Sequence, residues 1–150
     1  VRGLRLIRDV FPVWLALSLI TTLPYIAAWV RTPAGSVFSG VLSAYDDTFT
    51  YFTWIQQAAG GRVLMCDLYT SEPQSCEFFL PLWVFLGFVT RVTGLPVPII
   101  FHAARLAAVL VLLLVARSIV SMAFKSRTRI RWTLWLYAFG GGLGWLVYAL

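Results

Sequence analysis

Charge is what this chain has least of. Only 12% of its 150 residues are charged, against 60% that are hydrophobic, whereas a soluble domain of this size carries about 25% charged residues. Mean hydropathy is +0.83. That deficit excludes an ordinary soluble domain and points to an integral membrane protein with three or four spans. Histidine is nearly missing too, with one residue, so an HExxH zinc motif is excluded; no Ser/His/Asp set stands out either, and hydrolase chemistry of those kinds has no support. Cysteine is limited to Cys66 and Cys76. Their spacing fits no zinc pattern; in an oxidising compartment a disulfide is geometrically possible and would contribute ~2–3 kcal/mol, and two unpaired thiols are the alternative. No internal repeat or low-complexity stretch is present. The net charge of +6 does not argue for nucleic acid, because the basic residues flank apolar runs instead of lining one face.

The apolar runs set the expected architecture. Val10 to Val30 is free of charge between Arg8-Asp9 and Arg31, and its roughly twenty residues can cross ~30 Å of hydrocarbon. Pro12 falls in the first turn and Pro24 predicts a kink. The flanks lack a small-x-small cleavage site, so an uncleaved anchor is expected. Phe78 to Thr90 is shorter, a run of about 13 residues of the kind that more often lies in the interface than across it. Residues 98–120 are long enough to cross although Arg105 and Arg117 lie inside, and 132–150 gives a last candidate span.

Basic residues then fix the count. Arg2, Arg5 and Arg8 place the N-terminus in the cytoplasm, and Lys125, Arg127, Arg129 and Arg131 form the densest basic cluster. Both face the same side only if residues 78–90 do not cross. The expected fold is therefore all-α and integral to the plasma (inner) membrane: three spans at about 10–30, 98–120 and 132–150, with a large outer loop at about 31–97 carrying two interfacial helices. The whole is expected to form a single N-terminal module of a longer chain.

The outer loop holds five of the six acids: Asp46, Asp47, Asp67, Glu72 and Glu77. Polar residues at Asp46, Thr50, Thr53 and Gln57 fall on one helical face, and Phe49, Phe52 and Ile55 on another, closed by Gly60-Gly61 as a left-handed cap. This predicts an amphipathic helix lying on the membrane with its Phe and Trp side among the lipid. The adjacent Asp46 and Asp47 stand at its head. Capping of free amides accounts for one carboxylate. The other is left for chemistry, as general base on an acceptor hydroxyl or as ligand to a divalent ion. Arg105 lies about two turns into its span; it is either a snorkelling arginine or a phosphate partner, and His102, one turn away, is either structural or a substrate contact. The run from Gly140 to Gly144 lacks a following lysine, so it reads as close helix packing or a kink, not a phosphate loop.

Taken together, these motifs resemble the N-terminal part of the C-type (GT-C) superfamily of membrane glycosyltransferases, especially the bacterial dolichyl-phosphate-mannose-type and lipid A aminoarabinose-type members. The resemblance is carried by Asp46-Asp47-Thr48-Phe49-Thr50-Tyr51-Phe52, by Gly60-Gly61-Arg62, by Phe78-Phe79-Leu80-Pro81-Leu82-Trp83, and by Gly94 with Arg105-Leu106. The family's Pro-Pro or His-Pro-Pro is only Leu80-Pro81 here, and the histidine that some members use near a metal is absent. The resemblance implies a hexosyl or pentosyl donor on a polyprenyl phosphate, and a lipid, glycan or protein acceptor at the outer face. It implies Asp46 or Asp47 as the catalytic carboxylate, with Asp47 as candidate ligand to magnesium or manganese, and Arg105, His102 and Glu72 as substrate contacts. A non-enzymatic membrane scaffold or assembly subunit, or part of a transporter, is the alternative; downstream sequence would separate them.

Overall fold

A computed structural model describes the backbone of residues 2–73 and 75–141 and the side chains from residue 7 onward. Among the described residues there are five helices: α1 (Arg2–Val30), α2 (Tyr45–Ala59), α3 (Pro81–Thr93), α4 (Val97–Ala123) and α5 (Arg127–Phe139). Among the described residues no strand forms, only an isolated antiparallel bridge between Met65 and Phe78. Two helical stretches among the described residues, Ile7–Val30 and Val97–Ala123, are long and apolar enough to cross a membrane. α3 is not: its 13 residues rise only about 20 Å at 1.5 Å per residue. α1 runs through both Pro12 and Pro24. α4 begins with Pro98 in its first turn, where a missing N–H costs nothing. Of the third expected span, 132–150, α5 covers the start: it begins earlier, at Arg127, and ends at Phe139 with Gly140 as its C-cap, while residues 142–150, with Gly142 and Gly144, lie outside the described residues.

Backbone contacts divide the chain into two compact units, Val1–Pro24 with Leu106–Leu150, and Tyr25–Arg105. The first unit closes around Val10 and Val13 of α1, Leu113 of α4, and Ile130 and Leu134 of α5. Trp14 donates its indole N–H to the Leu106 carbonyl at 2.9 Å, so an apolar ring packs in the core with its one polar atom satisfied. Beside this core is a buried carboxylate. Asp9, 2% exposed, accepts from Arg127 Nε at 2.8 Å and from Arg117 at 3.3 Å. The arginine inside the α4 apolar run thus has a partner 108 residues away in sequence.

The second unit is built on α2 against α3. Phe52, Ile55 and Ala58 are the buried residues of α2, and Leu86 and Gly87 those of α3. Close approach depends on Gly87: a Cβ there would meet Ala58 Cβ at 2.2 Å and the Ile55 carbonyl at 2.7 Å. Ile55 and Leu86 join Ile100 of α4 in one core, ringed by Trp83, Phe101 and Ala104. Trp83 stacks on Tyr51 at 4.7 Å, and Phe101 meets Phe52 edge-on at 5.3 Å. The apolar side of α2 was expected among lipid. Instead its Phe52, Ile55 and Ala58 are covered by protein, because helical periodicity defines an apolar face without naming what lies on it. The α2 end is a Schellman turn. Arg62 N–H reaches the Gln57 carbonyl at 3.1 Å and Gly61 N–H the Ala58 carbonyl at 2.8 Å, with Gly61 at φ 97° supplying the left-handed residue.

Candidate functional site

The head of α2 is unusual. Its N-cap residue is Ala44, in the left-handed conformation at φ 51° and ψ 52°, with no side-chain cap. Asp46 and Asp47 therefore sit inside the first turn, and neither occupies the capping position. Both favour the helix dipole from there, and both are exposed. The expected division of labour, one cap and one reactive group, is replaced by a different one. Asp46, Thr50 and Trp54 lie four apart on one face and line a cavity of about 440 Å³, with Asp67, Tyr69 and Phe78 on its other side. Asp47 is not on that lining.

The opposite wall is a loop, and several bonds hold it. Gln57, on the same polar stripe as Asp46 and Thr50, grips Cys66 twice: its Nε2 donates to the Cys66 carbonyl and its Oε1 accepts the Cys66 N–H, both at 3.0 Å. A side-chain amide here replaces a ladder pair and satisfies a buried segment. Met65 N–H and Phe78 N–H exchange bonds with each other's carbonyls at 2.9 and 3.3 Å. Cys66 and Cys76 are joined by a disulfide, and Arg62 donates to Cys66 Sγ at 3.0 Å. Closing a loop of this size is worth about 2–3 kcal/mol in chain entropy. Within the loop, Asp67 Oδ1 accepts from Tyr69 N–H at 2.9 Å, an Asx turn that sets both residues on the cavity. Ser75 donates to Glu77.

The other expected site residues fall elsewhere. Glu72 is exposed on the loop, off the cavity lining. His102 and Arg105 of α4 gather around Tyr25: the His102 ring lies 4.4 Å from the Tyr25 ring, and the Arg105 guanidinium is 5.2 Å over it. His102 Nε2 donates to the Gly40 carbonyl at 2.8 Å. That carbonyl belongs to a turn where Gly40 has φ 84° and where a Cβ would meet Pro98 at 2.6 Å, so His102 secures the 31–44 connection to α4. Neither His102 nor Arg105 is on the cavity lining. Compared with protein families, with curated proteins and with solved structures, the chain matches none.

Two carboxylates and three aromatic rings around one cavity suit a polar ligand with apolar faces, such as a sugar ring. Its volume lies within the usual range for small-molecule sites, roughly 300–1,000 Å³. Among the described residues no three His, Cys, Asp or Glu side chains come together. A divalent ion here would need phosphate oxygens from a substrate to complete its shell. Asp67, Tyr69, Thr50 and Trp54 were not singled out from sequence. The signal for Thr50 and Trp54 was there, in the four-residue spacing from Asp46; nothing local marks Asp67 or Tyr69, which reach the cavity on a loop held by the Gln57 grip, the Met65–Phe78 bridge and the disulfide.

Proposed function

We propose that this chain is the N-terminal module of a membrane glycosyltransferase that moves a sugar from a polyprenyl phosphate to an acceptor hydroxyl, with Asp46 as the catalytic carboxylate. The observation that carries this is the cavity that Asp46 and Asp67 line together with Trp54, Tyr69 and Phe78. Asp46 takes the proton from the acceptor hydroxyl as its oxygen attacks the anomeric carbon. The carbon–oxygen bond to phosphate breaks, and polyprenyl phosphate leaves with the electron pair. Asp67 hydrogen-bonds sugar hydroxyls, and Trp54, Tyr69 and Phe78 cover the ring's apolar faces. Arg105 lies off the cavity lining, over Tyr25, and its assignment to the donor phosphate rests on the family resemblance and on guanidinium geometry.

Two helices long and apolar enough to cross a membrane support the same reading. Only 11% of each apolar stretch of α1 and α4 is buried, leaving residues such as Leu19, Leu23, Val111 and Ile119 more than half exposed; lipid is the solvent that suits such surfaces. Three spans, a cytoplasmic N-terminus and an outer cavity follow from the basic clusters.

The test is sugar transfer by the full-length protein from a panel of polyprenyl-phosphate sugars. Asp46→Asn is expected to lower kcat by 10²–10⁴-fold, the range for a general base. Asp47→Asn is expected to keep most activity, and Arg105→Gln to raise KM for the donor. Full transfer by Asp46→Asn protein would sink the proposal and favour a non-enzymatic membrane subunit.

A further inference from the structure

The Tyr25–Arg105 unit does not account for an unusual feature of the other one. α5 opens with a run of cations and no acid in its first turn. Arg127 is committed to Asp9, but no carboxylate pairs with Arg131 among the described residues. Arg131 lines a depression of about 350 Å³ with Thr128, Trp132 and Trp135. The same two tryptophans also line a second groove, of about 480 Å³, whose other walls include Ala16 and Ile20 of α1 and Leu136 and Phe139 of α5. A cationic, hydroxyl-bearing head thus runs directly into an apolar trough. From Arg131 to Gly140 at the trough's far end α5 rises about 13 Å, the reach of much of an acyl chain. Trp132 and Trp135 mark the junction, the position indole favours between headgroups and hydrocarbon.

We propose that this two-part groove is a binding site for an anionic phospholipid. Its phosphodiester is held by Arg131 and Thr128, and one acyl chain lies in the trough against Ile20 and Phe139. The site is independent of the sugar-transfer reading. A free phosphate would have no use for the trough; a zwitterionic lipid carries the same phosphodiester, but its ammonium offsets the charge that Arg131 attracts, so an anionic lipid is the better match to both halves. Guanidinium pairs with phosphate through two parallel N–H donors, and Thr128 adds a hydroxyl.

The full chain, reconstituted in phosphatidylcholine vesicles, carries its own reporters in Trp132 and Trp135. Small mole fractions of lipid with dibrominated acyl chains are added, with either a phosphatidylglycerol or a phosphatidylcholine headgroup, and tryptophan quenching is read. The brominated anionic lipid is expected to associate about fivefold more tightly than the neutral one, the increment expected for one basic residue at a membrane surface. That preference is expected to fall to parity in Arg131→Gln, to persist in Lys125→Gln, and to vanish from the signal in Trp132→Phe/Trp135→Phe. Circular dichroism of each variant keeps loss of folding separate from loss of binding; Arg131→Lys, which retains the charge, is expected to keep part of the preference. Equal quenching by both lipids in the unmodified chain would overturn the proposal. So would a preference that survives intact in folded Arg131→Gln, which would mean diffuse surface attraction, or one abolished by millimolar inorganic phosphate, which would mean a phosphate site.

Discussion

Removing the Asp9 carboxylate should be the most damaging single change in the Val1–Pro24 with Leu106–Leu150 unit. Asp9→Ala strips the partner from two guanidinium groups at once, Arg117 and Arg127, whose side chains are 18% and 39% exposed while that of Asp9 is 1% exposed. Truncating one side of a buried ion pair costs about 3–5 kcal/mol, because the surviving charge stays in a medium that solvates it poorly. Arg127 can turn to water and recover much of its share. Arg117 is held inside the helix bundle, so the expected loss is about 3 kcal/mol, or roughly a hundredfold in the folding equilibrium at 1.4 kcal/mol per tenfold. The assay is unfolding of the purified full chain in mixed micelles on titration with a denaturing detergent, followed by circular dichroism. Arg117→Met should cost a comparable amount and Arg127→Gln less than about 1 kcal/mol. The two larger effects should not add, since each removes the same pair. Replacing all three residues together, as Asp9→Leu/Arg117→Met/Arg127→Leu, should restore most of the stability, as apolar packing commonly does in place of a buried ion cluster. A loss below about 0.5 kcal/mol for Asp9→Ala, or strict additivity of Asp9→Ala with Arg117→Met, would refute the reasoning.

Gly87→Ala should destabilise the α2–α3 pair by about 1–3 kcal/mol, since the new methyl meets Ala58 and backbone with no flexible side chain to yield; thermal unfolding in detergent checks this, and an unchanged midpoint would contradict the packing. Reducing the Cys66–Cys76 disulfide, or replacing both cysteines by serine, should remove about 2–3 kcal/mol of loop stabilisation. Adding Gln57→Ala, which removes both amide bonds to Cys66, should release the loop outright. Hydrogen exchange at the 65–78 amides reads both changes, and exchange as slow as in the unmodified chain would show that other contacts hold the wall.

Residue pattern alone made most of the helices legible. The charge-free run after Asp9, the three-and-four spacing after Asp46, the short run ended by Arg91 and the long apolar run around Arg105 each predict a helix that forms, in α1, α2, α3 and α4. The Gly60-Gly61 stop was readable because only a left-handed residue closes such a turn, and Gly61 takes that role. What covers each face was not readable. Ile55 and Phe52 have the same periodicity whether lipid or α3 lies on them. The Asp9–Arg117–Arg127 cluster was missed although half its signal was visible: an arginine in an apolar run needs a partner, and Asp9 is the one acid outside the loop. Its partners lie 108 and 118 positions away, a separation that no local pattern encodes. The candidate site was half legible for the same reason. Asp46 stood out as one of an adjacent pair, but choosing it over Asp47 needed the helix start, which falls at Tyr45 after a left-handed Ala44, and the opposite wall needed the fold.

The way that wall is fastened has a consequence for timing. Asp67 and Tyr69 reach the cavity on a segment that begins at a disulfide-bonded cysteine, and cytosolic conditions keep such thiols reduced. While the thiols are reduced, the segment carrying them loses its covalent brace and keeps hydrogen-bonded ones, among them Gln57 and the Met65–Phe78 bridge. If the loop faces an oxidising compartment, as the proposed topology has it, the cavity is fully braced only after delivery there, and the site then matures with delivery rather than with folding.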